Sequence, residues 1–374
     1  MNSKFKLKIF TVGDIEKITS ARAGETKAGQ AAKTLQSSAP EDLPKSLKAA
    51  VEAGARYAVI LIPEDIGPRA NLGRAGSHEA PDAFMNFFVN MQANRFFDCS
   101  KLVLIGAIDT ADLMAKSNVP DVSVDTLRQL CADLDTSVAP VLSAIVAAGL
   151  EPIVIGGGNN NSFPVIQGVV EALRETGPKD LGLAVVNCDP HADFRQMEGR
   201  HSGNPFTFAH HHGYLKRYCV FGLHENYNSE EMLERLQSTG FPHFSFEDFA
   251  IKRNSTFAES IEKVHAYLSK DAHPVGCEVD LDSIRNMPAS AKTPFGITQE
   301  EAAHFVFTLA SRLDTLYLHL SEAAPKWGGE DGARESGKCM ALLVMTYVKA
   351  REQFRQVHGD VVGARKMLSA SATR

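Results

Sequence analysis

The sequence lacks the features that mark membrane-embedded, secreted or nucleic-acid-binding proteins. We expect no run to reach the roughly 18 apolar residues of a membrane-spanning helix. The opening segment MNSKFKLKIFTVGDIEK lacks the apolar stretch and the cleavage site of a signal peptide. Basic residues form no patch, and 45 acidic residues against 39 basic ones give no support for a nucleic-acid partner. We therefore expect a cytoplasmic protein that binds neither membranes nor nucleic acids.

The sequence is also poor in cysteine motifs. No Cys-x-x-Cys pair is present, so we expect neither a disulfide framework nor a zinc site built from thiolates. Several cysteines lie inside apolar runs, which indicates buried, reduced thiols. The six cysteines are Cys99, Cys131, Cys188, Cys219, Cys277 and Cys339.

The two common nucleotide-binding motifs are absent as well. The sequence contains no Gly-x-Gly-x-x-Gly and no Walker loop. One glycine-rich turn, Gly156 to Ser162 (GGGNNNS), stands between an apolar run and a helical pattern, where a phosphate could bind. Because this turn lacks the Gly-Lys-Ser/Thr element, it gives nucleotide binding little support.

What the sequence does contain is an alternation of short apolar runs and helical patterns. The runs are bounded by turn-forming residues, which is typical of buried parallel strands. The alternation predicts an α/β fold with one doubly wound parallel sheet, which binds ligands at the carboxyl ends of its strands. The predicted strands are 57–63, 102–105, 152–155, 183–186, 218–221 and 316–320. The predicted helices are 127–148, 163–175, 229–238, 257–269, 298–311 and 333–357.

Composition suggests three parts of unequal size. Residues 18–42 are rich in Ala, Ser, Gly and Thr, which favours a helix-and-loop preamble over 1–50. Residues 51–360 contain no strong linker and no internal repeat, so we expect a single α/β domain there. Residues 361–374 form a predicted C-terminal tail.

The most informative motif is Asp-x-His-x-Asp, directly after the apolar run 183–186. Alternate residues of an extended segment point the same way, so Asp189, His191 and Asp193 can converge on one point. Two carboxylates and an imidazole suit a divalent ion such as Mn²⁺. The competing interpretation is a polar loop whose aspartates cap a helix.

Two further acidic motifs follow. Asp280 and Asp282 also stand at a spacing of two, although Asp-x-Asp occurs in solvated turns too. With the first motif they supply four carboxylates, which would balance two divalent ions and favour deprotonation of a bridging water. Glu322 follows the apolar run 316–320. It is either a cap or a surface charge or, opposite a metal cluster, the group that binds a cationic amidinium or formiminium.

The order of these motifs resembles the ureohydrolase superfamily of arginases, agmatinases and formimidoylglutamases. The matching elements are the turn Gly157 to Asn159, then Asp189 to Asp193, Asp280 to Asp282 and Glu322 to Pro325. The resemblance extends over about 61–357. It implies a three-layer α/β/α fold with a mostly parallel eight-stranded sheet, two Mn²⁺ ions and a homo-oligomer, either a trimer or a hexamer.

One departure from the family concerns the metal site. The family's metal-binding His after the glycine turn is Asn159 here, as it is in some formimidoylglutamases. The resemblance therefore implies the ligands Asp189, His191, Asp193, Asp280 and Asp282, with Asn159 as a poorer sixth ligand. We expect one of the two Mn²⁺ positions to be weakened.

A second departure concerns the proton relay. Ser202-Gly203-Asn204-Pro205-Phe206 looks like the Ser-Gly-Thr-Pro-Phe element of formimidoylglutamases, where arginases have His-Gly. The preceding His201 is one position out of register for the relay role. By the same resemblance we assign Ser202, Asn204 and Asn228 to substrate binding.

The segment from Asn71 to Gly76 (NLGRAG) looks like a family motif near the N-terminus. Arg69 or Arg74 would face a substrate carboxylate. The competing interpretation is structural, with Arg74 connecting the loop to the sheet.

Together the motifs and the resemblance predict a manganese-dependent hydrolase of N-formimino-L-glutamate, an intermediate of histidine catabolism. In this hypothesis the metals activate water and Asp193 or Asp282 passes a proton to the leaving nitrogen. Glu322 holds the formimino group, and His201 is a further catalytic candidate. The alternatives are another amidino substrate, such as arginine, agmatine or a guanidino acid, and a catalytically silent protein that keeps only the fold.

Overall fold

The computed structural model describes residues 4–271 and 273–359, and in this part of the chain ten strands form one sheet. The predicted tail 361–374 lies outside the described residues. The strands are β1 (Leu7–Ile9), β2 (Lys33–Thr34), β3 (Tyr57–Leu61), β4 (Leu102–Ile108), β5 (Glu151–Ile155), β6 (Leu183–Cys188), β7 (Leu215–Leu223), β8 (His243–Ser245), β9 (Val275–Asp280) and β10 (Thr315–Ser321).

The sheet order is β1-β4-β3-β5-β10-β9-β6-β7-β8, with β2 also paired to β4. The eight strands from β4 to β8 in this order are all parallel to their neighbours. The predicted α/β fold with a mostly parallel sheet is therefore confirmed. Two short strands extend it beyond the expected eight, namely the antiparallel β1 and the parallel β2.

Helices cover both faces of the sheet. Tyr57, Val59 and Leu61 belong to one buried apolar cluster, whereas Ala58 and Ile60 belong to the other, as the alternation of side chains along a strand requires. The result is the predicted three-layer arrangement. The helices are α1 (Val12–Ile18), α2 (Ala28–Ala31), α3 (Leu43–Glu52), α4 (Ile66–Ala70), α5 (Ala80–Phe88), α6 (Ala111–Ser117), α7 (Val124–Ala148), α8 (Ser162–Thr176), α9 (Pro205–His211), α10 (Glu230–Thr239), α11 (Phe257–Leu268), α12 (Gln299–Arg312) and α13 (Gly332–His358).

Helix α7 corrects one expectation from the sequence. Among the described residues it is the one helix whose length and hydropathy would suffice to cross a membrane. However, 56% of its most apolar window is buried inside the protein, and α7 packs against α8. A helix that is covered by both a sheet and a neighbouring helix can be nearly as apolar as a membrane span, which explains why it passes the same test.

The N-terminal segment is more ordered than a helix-and-loop preamble. It contains α1 and α2 but also contributes β1 and β2 to the edge of the sheet, beside β4. These strands are only two or three residues long, so the sequence carries no period-two pattern that would reveal them. The domain boundaries at residues 50 and 360 stay a prediction.

The six cysteines are all free and buried, which confirms their assignment as buried, reduced residues. Burial raises the pKa of Cys188 to about 12, and it raises that of Cys339 to about 12 as well. Thiols with such pKa values stay protonated near neutral pH and are poor nucleophiles and poor metal ligands.

Candidate metal centre

Four neighbouring strands deliver the polar motifs to one edge of the sheet. Strand β6 leads into Asp189, β9 ends at Asp280, β10 leads into Glu322, and β5 runs through the glycine turn to Asn159. In the sheet these strands follow the order β5-β10-β9-β6. Because all four are parallel, their carboxyl ends meet, as expected for the ligand site of an α/β sheet.

Three aspartates form the centre of the site. One carboxylate oxygen from each of Asp189, Asp193 and Asp280 lies within 4.8 Å of the other two, and all three residues are buried. Burial, followed by the charge of Asp189, holds the pKa of Asp193 and of Asp280 well above the usual range. Such a cluster either retains protons or holds a cation, and oxygen ligands at this density fit a divalent ion such as Mn²⁺.

Asn159 joins this cluster directly. Its Nδ2 donates to Asp193 Oδ2 at 2.6 Å and to Asp189 Oδ2 at 3.2 Å. Its Oδ1 accepts hydrogen bonds from the hydroxyls of Ser162 (2.7 Å) and Ser321 (3.3 Å). The predicted sixth ligand is therefore at the site, but the amide nitrogen rather than the oxygen faces the aspartates.

His191 and Asp282 lie beside the three central aspartates. The His191 Nδ1 is 3.2 Å from Asp189 Oδ1. Burial disfavours the imidazolium, but the hydrogen bond to Asp189 and the charge of that residue outweigh it and raise the pKa of His191 to about 10. Asp282 accepts hydrogen bonds from the Ala291 N–H (2.9 Å) and the Ser290 hydroxyl (3.4 Å), and burial raises its pKa to about 6.

Two site residues have strained backbones. Asp193 has a φ of 45° and Glu322 a φ of 61°, a region that costs a non-glycine residue on the order of 1–3 kcal/mol. Glu322 is fixed there because its N–H donates to the Gly157 carbonyl and its carbonyl accepts from Ser290 N–H, both at 3.0 Å. Strain of this kind persists only where the surrounding contacts hold a side chain in a required position.

Glu322 has one oxygen in use and one available. Its Oε1 accepts a hydrogen bond from the Asn159 backbone N–H at 2.7 Å. Its Oε2 is buried and has no hydrogen-bond partner in the described part of the chain. Burial, together with the charge of Asp282, raises the pKa of Glu322 well above its ordinary value. A bound cation with N–H groups would satisfy this oxygen and favour the carboxylate.

The glycine turn is held by a carboxylate that the sequence did not single out. Glu64 is fully buried and accepts hydrogen bonds from Gly158 N–H (2.8 Å), Ile66 N–H (2.6 Å) and Asn161 Nδ2 (2.6 Å). Gly157 has a φ of 72°, and a Cβ there would lie 2.7 Å from a Glu64 oxygen. The turn thus needs glycine, and Glu64 fixes the position from which Asn159 reaches the aspartates.

The two predicted substrate-binding arginines have different surroundings. The Arg69 guanidinium bonds to Ser117 and pairs with Asp65 at 3.0 Å, so its donors are used within the protein. The Arg74 Nε donates to the Ser290 carbonyl at 2.6 Å, and its guanidinium stacks 4.5 Å from the centre of the Trp327 ring. Since Ser290 also contacts Asp282, Arg74 is the arginine that the structure ties to the metal-ligand loop.

The predicted relay His201 is buried inside its own loop. Its Nδ1 accepts from Gly203 N–H at 3.1 Å, and its Nε2 lies 2.9 Å from Asn204 Nδ2. Burial and the charge of Arg128 lower the pKa of His201 to about 4, so the ring is neutral at physiological pH. A direct role of His201 in proton transfer stays a prediction.

The other predicted substrate-binding residues also hold loops together. Asn204 accepts from Arg200 and donates to the Gly199 carbonyl at 2.7 Å, and Ser202 Oγ accepts from Asn71. Asn228 Oδ1 accepts a hydrogen bond from the Ala192 N–H at 2.8 Å, in the loop that carries Asp193. These contacts position the loops beside the site, and contact with substrate stays a prediction for all three residues.

Comparisons with known proteins identify the family of this chain. A model of the arginase family matches residues 55–347. The formimidoylglutamase of Aromatoleum aromaticum is 31% identical over 196 residues, which cover 51% of this chain and 54% of that protein. The formimidoylglutamase of Geobacillus thermodenitrificans is 26% identical over 306 residues, which cover 78% and 83%. The match thus spans about half the length of the first relative and most of the second.

Solved structures share the fold. The formimidoylglutamase of Bacillus subtilis superposes with a TM-score of 0.70 at 16% identity and covers 89% of this chain and 94% of its own. The formiminoglutamase of Trypanosoma cruzi, crystallised with Mn²⁺, gives a TM-score of 0.62 at 21% identity and covers 86% and 98%. The family model accounts for most of the chain, and the strand ends carry the site at the expected edge of the sheet. The chain belongs to the arginase family.

Proposed function

We propose that this protein is a manganese-dependent hydrolase that converts N-formimino-L-glutamate and water into L-glutamate and formamide. The observation that carries the proposal is the buried carboxylate cluster. At the same edge of the sheet lies Glu322 Oε2, which has no hydrogen-bond partner among the described residues. Membership of the arginase family supports hydrolysis of an amidino or formimino C–N bond. The named activity of several relatives supports formiminoglutamate as the substrate.

The residues that would hold manganese are those of the aspartate cluster and its neighbours. We propose two Mn²⁺ positions, one of them weakened because Asn159 presents a poorer ligand than imidazole. When bound, the ions supply Lewis acidity and allow water to act as a nucleophile near neutral pH. The proposed ligands are Asp189, His191, Asp193, Asp280, Asp282 and Asn159.

The chain's own residues would orient the substrate and move its protons. Within the described part of the chain no group donates to Glu322 Oε2, so this oxygen would bind the N–H groups of the cationic formimino end and place the formimino carbon beside the aspartates. Cleavage of the bond between this carbon and the glutamate nitrogen requires a proton on the leaving nitrogen. Asp193 or Asp282 would deliver that proton, because both carboxyls lie at the cluster.

The distal end of the substrate carries carboxylates and needs a cation. Arg74 is the candidate that the structure favours, since its guanidinium lies beside Ser290, which itself contacts Asp282. Arg69 is engaged with Asp65 and Ser117. An enzyme for arginine, agmatine or another guanidino compound is the alternative, and a cationic or neutral distal end would not require Arg74.

The test combines a metal count with an assay. Protein dialysed against Mn²⁺ and desalted should retain one or two ions per chain, and it should release formamide from formiminoglutamate when Mn²⁺ is in excess. Retained metal with activity only on a guanidino compound would reassign the substrate. Protein that retains no metal at high Mn²⁺ would contradict the proposal and favour a catalytically silent member of the family.

The cellular setting follows from the substrate and the family. We propose that the protein acts in the cytoplasm, in histidine catabolism, as a homo-oligomer of three or six chains. The support is the resemblance to the family rather than an interface in this structure. Size-exclusion chromatography with light scattering tests the oligomer, and a monomer would contradict it.

A further inference from the structure

A buried polar cluster lies at the other end of the Asn159 amide from the aspartates. It consists of Ser162 at the start of α8, Glu278 on β9 and His319 on β10, all of them fully buried. Ser162 Oγ lies 2.7 Å from Asn159 Oδ1 and 3.0 Å from Glu278 Oε2. His319 Nδ1 lies 2.6 Å from the same Glu278 oxygen. The cluster therefore connects the Asn159 amide to a second buried carboxylate that is separate from the aspartate cluster.

Two acceptors compete for one hydroxyl hydrogen in this cluster. Ser162 can donate to Asn159 Oδ1 or to Glu278 Oε2, but it has only one hydrogen to give. When Asn159 receives it, the Asn159 Nδ2 faces Asp189 and Asp193, as the distances show. When Glu278 receives it, the Ser162 oxygen becomes an acceptor. An acceptor at that point suits the opposite orientation of Asn159, with Nδ2 on Ser162 and Oδ1 on the aspartate side.

The charge between the aspartates selects the orientation. Carboxylates without a cation attract the amide N–H groups, whereas a divalent cation held by them attracts the amide oxygen. Glu278 stabilises the second orientation because it offers the Ser162 hydroxyl a strong hydrogen-bond acceptor. His319 and Tyr317, which donates to the other Glu278 oxygen at 2.6 Å, hold this carboxylate in place.

We propose that Ser162, Glu278 and His319 are positioning residues that let Asn159 turn its amide and present Oδ1 to a metal ion. The inference rests on the proposed function, because it needs a cation at the aspartates. Asn159 is then a ligand in one orientation only, and the cluster supplies the hydrogen-bond partner that this orientation requires. A histidine at position 159 would have no side-chain amide to turn, so it would not need this hydrogen-bond partner.

The main test is Ser162→Ala. Without the hydroxyl, the turned amide would bury an unpaired N–H group, whereas the other orientation keeps the Ser321 hydroxyl as a donor to Oδ1. We therefore expect the weaker Mn²⁺ to bind about 10- to 100-fold less tightly and the tighter Mn²⁺ to bind unchanged. Titration followed by the electron paramagnetic resonance signal of free Mn²⁺ measures both affinities independently of activity.

A double-mutant cycle with Asn159→Ala separates positioning from general damage. In the Asn159→Ala background the same Ser162→Ala change should cost no further affinity, because the ligand that it positions is gone. Glu278→Gln keeps the shape but offers Ser162 a weaker acceptor, so it should give a smaller loss in the same direction. Ser137→Ala is the matched control, since Ser137 Oγ is buried and has no partner among the described residues.

Each outcome decides between the two proposals. Wild-type protein that binds two Mn²⁺ ions, while Ser162→Ala binds them equally well, would overturn the positioning role alone. An equal loss from Ser162→Ala in the wild-type and Asn159→Ala backgrounds would overturn it too, because the serine would then act without Asn159. Wild-type protein that retains no Mn²⁺ would overturn the proposed function and this inference together.

Discussion

Carboxylates are buried at both ends of the sheet, but the groups that surround them differ in charge. At the carboxyl ends of the strands, Asp189, Asp193 and Asp280 meet with oxygens within 4.8 Å of one another. At the amino end of β5, Glu151 is just as buried, but Arg351 and Arg355 of α13 bond to it at 2.6–3.0 Å. At the amino end two guanidinium groups face one carboxylate, whereas at the carboxyl end a single imidazole, that of His191, stands beside the aspartate cluster.

This difference separates stability from function within one fold. A buried carboxylate with hydrogen-bonded arginines is satisfied by the chain, and breaking the pair leaves an uncompensated charge. A buried group of like charges costs folding energy unless it holds protons or a cation. The amino end should therefore matter for stability at any metal concentration, whereas the carboxyl end should matter for metal binding and activity.

The largest expected effect is the loss of activity in Asp280→Asn. The change removes one of the three central carboxylates, so we expect hydrolysis of formiminoglutamate to fall by a factor on the order of 10³, or about 4 kcal/mol in the activation barrier. Metal analysis should show fewer retained ions. Because the change also removes like-charge repulsion, the metal-free variant should unfold at the same temperature as the wild type or higher. A variant that keeps both its metal and its rate would contradict the assignment.

The complementary change is Glu151→Gln at the amino end. It removes the carboxylate to which both Arg351 and Arg355 bond, while Asp314 stays 3.7 Å from Arg351. We expect the free energy of unfolding to fall by about 3 kcal/mol. Urea unfolding measures this, and kcat at saturating Mn²⁺ should stay unchanged. Glu262→Gln, which removes the partner of Arg312 on an exposed surface, is the control and should leave the urea midpoint unchanged. An equal loss of activity in Glu151→Gln would break the separation between the two ends.

The fold was largely predictable because its central strands are continuous apolar runs. Strands β3, β5 and β6 are buried on both faces, so their hydrophobic runs alone indicate parallel strands. Strand β9 is missing from the strands predicted as apolar runs, since Glu278 and Asp280 interrupt its apolar pattern. The short β8 gives no pattern at all.

The site was predictable where function follows directly after a strand. Asp189, Asp280 and Glu322 each stand at a strand end, and the parallel sheet brings them together. Glu64 and His319 could not be predicted, because their partners come from distant parts of the chain. The local sequence around a buried polar residue does not reveal which other strand will satisfy it.

The stability of the metal-free protein and the stabilising effect of Mn²⁺ should depend on pH in opposite directions, because both involve the carboxylates at the carboxyl end of the sheet. The pKa values of Asp193 and Asp280 are raised in the folded protein, whereas an unfolded aspartate titrates near about 3.9. The folded metal-free state thus binds more protons, so its stability falls as pH rises above about 4 and through the folded pKa values. Mn²⁺ requires the deprotonated carboxylates, and its stabilising effect should therefore grow with pH.

Thermal unfolding with and without Mn²⁺ checks this sign. One free Mn²⁺ concentration is used at both pH values, about 100-fold above the Kd measured at pH 8. The gain should approach roughly 2.7 kcal/mol at pH 8, and the shift in Tm should be smaller at pH 6, where protons compete with the metal and raise the apparent Kd. The Asp280→Asn variant should show a smaller shift at both values. A shift that is equal at both pH values, or larger at pH 6, would mean that the cluster does not exchange protons for metal.

The smallest effect is expected for Arg74→Glu, which tests whether the entrance of the site recognises a negatively charged substrate. If the Arg74 guanidinium binds a substrate carboxylate, losing a charged hydrogen bond should raise KM for formiminoglutamate by about 10-fold or more. Agmatine has no carboxylate, so its KM, or its inhibition constant if it is not cleaved, should change little. The Arg74 side chain also bonds to the Ser290 carbonyl and stacks on Trp327, so a purely structural role predicts equal changes for both compounds. Equal changes for the two compounds would mean that Arg74 does not recognise the substrate carboxylate. The site would still bind amidines, but any preference for an acidic substrate would come from another residue.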